Sequence, residues 1–146
     1  MIKFVDAIAD EKTGLSRVWL KNGKREYLGM AHLAEGDDWS HIFGCSIAEI
    51  RATIKIINDI LKDKRKDLKV IENFVKALKC YKNFDENSNT TACIYRQLNR
   101  KKVEIERLKQ RKAELKKYLA DSIEMRGNIK TKISNIRSLK NEDKES

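Results

Sequence analysis

Apolar positions along this chain follow two regimes. Over residues 1 to 45 they come in short runs divided by turn signals, and from residue 46 onward they recur at spacings of three and four. The first regime reads as strands. IKFVDAI leads into EKTG, SRVWL follows, and Asn22-Gly23 marks a tight hairpin, because both positions of such a turn favour positive φ. KREYLGMAHL returns as the partner strand. The expectation is an antiparallel sheet of two or three strands, too small to stand alone. Val18, Leu20, Tyr27 and Leu28 are assigned to its packed face and Trp19 to the other. AEGDDWSHIFG then makes a loop or short helical turn anchored by Trp39 and Phe43.

The second regime reads as two long helices. Ser46 followed three residues later by Glu49 is a capping-box pattern, so the first helix is placed at 46–82. Its apolar seam runs through Ile47, Ile50, Ile54, Ile57, Leu61, Leu68, Ile71, Val75 and Leu78, and breaks once, at Lys64. That break lies within LKDKRKDLK, residues 61 to 69, which reads either as continuous helix or as a gap between two shorter ones. At about 1.5 Å per residue the helix would span roughly 55 Å. NFDENSNT, residues 83 to 90, is a polar connector. A second helix over 91–140 carries Ile94, Leu98, Ile105, Leu108, Leu115, Leu119, Ile129, Ile133 and Ile136, with Lys101, Lys112, Ser122 and Arg126 in the remaining seam slots. Residues 141–146 form an acidic tail.

So short a connector folds the helices back on each other. One antiparallel register, in which facing residue numbers sum to about 173, keeps both seams in phase. It sets Val75 against Leu98, Leu68 against Ile105, Ile57 against Leu115 and Ile54 against Leu119. The predicted fold is mainly α with a small N-terminal antiparallel β unit, an α+β arrangement built on a long helical hairpin or coiled coil.

In this register the two flanks of the seam differ. One gathers Ile60, Phe74, Tyr81, Tyr118 and Met125, more apolar surface than a solvated two-helix hairpin exposes, so it calls for a third layer. Either the sheet or a second copy could supply it, and Ile129, Ile133 and Ile136 need cover beyond the first helix; a homodimer is expected. The other flank gathers Arg51, Arg65, Lys79, Lys102, Lys109, Lys116, Lys130 and Arg137, with Glu72 its main carboxylate. Arg65 against Lys109 is a like-charge pair where coiled coils often place opposite charges.

Charge sharpens that asymmetry. The formal net charge is +10, and residues 91–140 alone hold 15 basic and 5 acidic groups, whereas residues 1–45 hold 6 and 7. Such an edge suits phosphates or an acidic protein face, although a lysine-rich helix face is also an ordinary solvated surface. No zinc finger, RNP motif or glycine-rich RNA-binding loop accompanies it. Tyr95 and Tyr118 are of the type that stacks on bases or packs on a neighbouring helix.

Other chemistry is sparse. His32, His41 and Cys45 fall short of a structural zinc set, and a Cys45 nucleophile with His41 as base lacks an evident orienting group. Six scattered glycines form no phosphate or dinucleotide fingerprint. Cys80 and Cys93 also sum to 173 and would face each other beside the connector, bonded or as two thiols filling a narrow end. No metal, cofactor, small-molecule substrate or enzymatic activity is expected. The N-terminal stretch has neither a signal-peptide core nor a transit pattern, and no run approaches the roughly 18–20 apolar residues of a membrane span, so a cytoplasmic setting without membrane contact is expected.

These features point to a non-enzymatic basic protein whose hairpin docks on nucleic acid or a nucleic-acid-handling complex. By analogy, small basic proteins of this build include phage products of the anti-CRISPR kind, which block nucleic-acid-guided host defence. The rival reading is a structural coiled-coil protein acting through homo-oligomerisation.

Overall fold

The computed structural model describes residues 1–32, 40–81 and 83–145, with side chains described as far as residue 125. β1 (Ile2–Asp10), β2 (Leu15–Asn22) and β3 (Arg25–His32) form an antiparallel sheet in the order β1-β2-β3. Gly14 (φ 69°) closes the first turn, its N–H donating to the Asp10 carbonyl at 2.8 Å. In the second turn Asn22 pairs with Arg25, so Gly23 and Lys24 are the central residues, not Asn22 and Gly23. Gly23 takes φ 64°, and no non-glycine among the described residues has positive φ. One glycine at the first central position is enough for this class of hairpin turn.

Two helices follow the sheet, α1 (His41–Lys79) and α2 (Asn89–Glu145). α1 begins five residues before the expected Ser46. Its N-cap is Ser40, in extended conformation, whose hydroxyl accepts from the Phe43 N–H at 3.3 Å. Ser46 lies inside the helix and donates its hydroxyl to the Ile42 carbonyl at 2.8 Å instead of capping. LKDKRKDLK is continuous helix within α1. α2 extends to Glu145, so the acidic tail continues the helix. Trp39 lies outside the described residues.

The sheet packs on the first half of α1 through small residues. Val18, Leu20 and Ala31 meet Ile47, Ala48, Ala52 and Ile56, each under 9% exposed. Gly29 allows this approach, since a Cβ there would collide with the Ala48 carbonyl oxygen, and one at Gly44 would collide with Ser16 Oγ. Tyr27 borders this core as expected, and Ile60, for which either the sheet or a second copy could supply cover, borders it too. Leu28 does not: it pairs with Trp19 on the face turned away from α1, as strand alternation requires of a residue beside Tyr27. α1 covers β2 and β3 and barely reaches β1.

Beyond the sheet the molecule is two helices thick. Ile57, Leu61 and Ile105 form a second buried cluster, joined by Leu68, Leu108 and Leu115. Val75 and Leu98 are buried nearer the connector. At the turn, Ser88 caps α2 by accepting from the Thr91 N–H at 3.2 Å, and the Thr91 hydroxyl donates to the Asp85 carbonyl at 2.9 Å. No helix among the described residues is long and apolar enough to cross a membrane.

Candidate nucleic-acid interface

The seam of the two-helix arm contains lysines where a coiled coil would place leucines, and carboxylates account for two of them. Lys64 Nζ donates to Glu104 Oε2 at 2.7 Å, a bond with both side chains about one-third exposed. Lys101 lies 3.7 Å from Asp67 and 4.0 Å from the same Glu104 oxygen. Lys64 is therefore a tie between the helices, which its reading as an unexplained interruption missed. The Lys64 hydrogen bond holds the Glu104 carboxyl below the ordinary carboxylate range; desolvation opposes it, and the charges of Lys64, Lys101 and Arg100 add to it. Lys112, the third seam lysine, is half-buried with no carboxylate in range among the described residues.

The cations assigned to the basic edge divide into four groups. Arg51 is committed elsewhere: its guanidinium donates to the Met30 carbonyl at 2.8 Å, tying α1 to the sheet, so it does not belong to a free anion-binding edge. Lys109 is exposed and lies 3.2 Å from Glu106, one turn before it. Arg65, Lys79, Lys102 and Lys116 are exposed, and no described carboxylate lies within ion-pair distance of any of them. Lys130 and Arg137 fall where α2 is described by its backbone alone.

Arg65 and Lys79 are 14 residues apart, as are Lys102 and Lys116, so each pair spans roughly 21 Å of helix. That is the length of about six base pairs of duplex. Arg65, Lys79 and Lys102 emerge from the two-layer arm, and Lys116 lies toward the sheet-covered end, close to Leu119 of the sheet core. The side chains are long, solvated and mobile in rotamer, suited to phosphate contact and unsuited to reading bases.

The apolar flank is not one stripe. Ile60 packs against the sheet core, whereas Phe74, Tyr81, Tyr118 and Met125 remain 52%, 72%, 62% and 63% exposed. Antiparallel pairing sets Phe74 near the connector and Tyr118 beside the sheet-covered end, roughly 30 Å away along the hairpin. Asp67, Glu104 and Arg111 occupy the same heptad positions in between. Tyr118 borders an open cleft of about 390 Å³ with Ile50, Arg111, Glu114 and Leu115. Tyr95 is half-buried. Ile129, Ile133 and Ile136 lie beyond the described side chains.

Cys80 and Cys93 are free thiols, both exposed, and do not fill the narrow end as expected. Cys80 is the C-cap of α1, a position turned toward solvent. Among the described residues no three His, Cys, Asp or Glu side chains gather as a metal site. Two contacts had no local signal in the sequence: Lys55 Nζ donates to the Leu28 carbonyl at 2.6 Å, and the Tyr27 hydroxyl donates to Asp59 at 2.7 Å. The Asp59 bond, with burial and the Asp59 charge, pushes the Tyr27 phenol up, against the opposing pull of Arg25.

Comparisons with protein-family models, curated proteins and solved structures found no match to this chain.

Proposed function

We propose that this is a non-enzymatic binding protein whose helical arm docks on the phosphate backbone of nucleic acid, free or held in a nucleic-acid-handling complex. The carrying observation is the uncompensated quartet Arg65, Lys79, Lys102 and Lys116, exposed along an arm whose seam lysines Lys64 and Lys101 do have carboxylate partners. Two of the three seam lysines are paired with carboxylates, whereas these four edge cations are open. A phage-type inhibitor of a nucleic-acid-guided defence complex, working in the host cytoplasm, is the specific setting this chemistry fits.

Salt dependence tests the reading. Four phosphate contacts on duplex give a slope of about −3.6 in log K against log salt. Fluorescence anisotropy with duplex and single-stranded probes, titrated from about 50 mM salt, reads that slope directly. The triple reversal R65E, K109E, K116E is expected to abolish binding, whereas Arg51→Ala leaves it nearly intact. Absence of any binding at the lowest salt refutes the proposal. It would favour the assembly reading, which rests on the uncovered Phe74, Tyr81, Tyr118 and Met125.

A further inference from the structure

The two edges of the sheet are finished differently. Leu28 and Met30 turn their carbonyls away from β2, and α1 fills both, Lys55 donating to the first and Arg51 to the second. Long cationic side chains laid on an edge block the addition of another strand. Among the described residues, none lies on the β1 edge in this way.

Strand alternation identifies what β1 leaves open. Trp19 and Arg17 stand opposite Leu28 and Met30, so their backbone groups serve β1, where they meet Asp6 and Ile8. The β1 residues opposite Leu20, Val18 and Ser16 are Phe4, Ala7 and Ala9, and these are the ones whose N–H and C=O groups face outward. Ala7 agrees: its N–H leaves the ladder and donates to Asp6 Oδ1 at 2.8 Å. The side chains are uncovered too. Leu20 is 2% exposed beneath α1, while Phe4, directly across from it, is 63% exposed.

We propose that β1 pairs antiparallel with β1 of a second copy, about a twofold axis near Ala7, joining two three-stranded sheets into one of six strands. Charge selects this occupant. Lys3 stands at one end of the strand and Asp10 and Glu11 at the other, so rotation about Ala7 sets each Lys3 beside the acidic end of the other copy. An isologous contact makes that pairing twice. The second copy also brings its own α1 to the same face of the joined sheet, so that the strip where Phe4 is bare lies between the two helices. The Asp6 carboxylate is a removable cap: the Ala7 N–H exchanges it for a carbonyl of the opposite strand. The irregularity between Phe4 and Asp6 lies to one side of the axis, on each strand. This dimer goes beyond the proposed function and does not depend on it; it carries two basic arms whatever they bind.

Sedimentation of the full chain reads the outcome. The expected mass at high concentration is twice 17.0 kDa. Ala7→Pro removes an outward N–H and its local bond to Asp6 Oδ1 while leaving the β1–β2 ladder in place, and is expected to give a monomer with unchanged circular dichroism. Lys3→Asp alone, or Asp10→Lys with Glu11→Lys, weakens self-association about tenfold. Mixing those two variants restores it, because every contact is then complementary; this arm decides the matter if the proline variant does not fold. A monomeric wild type, a folded Ala7→Pro that still dimerises, or a dimer lost only on Phe74→Lys and Tyr118→Lys overturns the proposal.

Discussion

The hairpin has two halves with different constructions. Near the sheet, α1 is sandwiched: Ala48, Ala52 and Ile56 have no exposed surface, and backbone meets backbone at Gly29. In the distal arm, two helices share one seam, Leu68 and Leu108 are half-buried, and lysines interrupt the apolar row. The sandwiched half derives its stability from close packing, and the arm adds electrostatic ties across its seam. Stability is thus concentrated beside the sheet, and charge is displayed where the structure is thinnest.

Ile56→Ala is the largest expected break in that comparison. It empties a fully enclosed site and should cost about 3 kcal/mol, against about 1–2 kcal/mol for Leu108→Ala in the arm. Urea unfolding of both variants measures the gap, and equal costs would mean the halves are alike. Gly29→Ala comes next, at about 1–3 kcal/mol, because the added methyl meets helix backbone that cannot rotate aside. Truncating an exposed arm side chain, as in Lys66→Ala, should change stability by less than about 0.5 kcal/mol.

Tyr27→Phe removes one hydrogen bond to Asp59 and should cost about 1 kcal/mol. With the phenol raised in the folded state, that contribution is complete below about pH 10, the ordinary tyrosine value, and fades as pH rises through the folded value. The smallest effect is confined to the arm. Glu104 is lowered in the folded state, so its contribution is present above the ordinary carboxylate value near 4.3 and is lost as pH falls through the folded one. Hydrogen exchange around residues 60–70 and 100–108 should accelerate in that acid window, and Glu104→Gln should flatten the dependence.

Much of the architecture was legible from local pattern. Ile57, Leu61, Leu68, Ile105, Leu108 and Leu115 were all placed on the seam by spacing, and they form the arm's buried cluster. Two glycine-containing turn signals between short apolar runs marked the sheet. The start of α1 was misplaced because Ser40 and Ser46 are equally good caps in isolation. Ser46 never acts as one, since the helix continues back to His41, where Phe43 packs against the sheet core. Arg51 was grouped with Arg65 by heptad position, and only the nearby Met30 carbonyl separates their roles. Lys64 read as an interruption because its partner Glu104 is 40 residues away.

The sequence by itself determined a small antiparallel sheet, the two long helices and their antiparallel return, because these follow from turn signals and from apolar spacings of three and four that are visible within a few turns of chain. Tertiary structure alone decided which cations are spent and which are open, and which sheet edge is sealed. Those outcomes depend on distances between groups tens of residues apart, and a side chain's charge is neutralised by whatever the fold brings within about 4 Å of it.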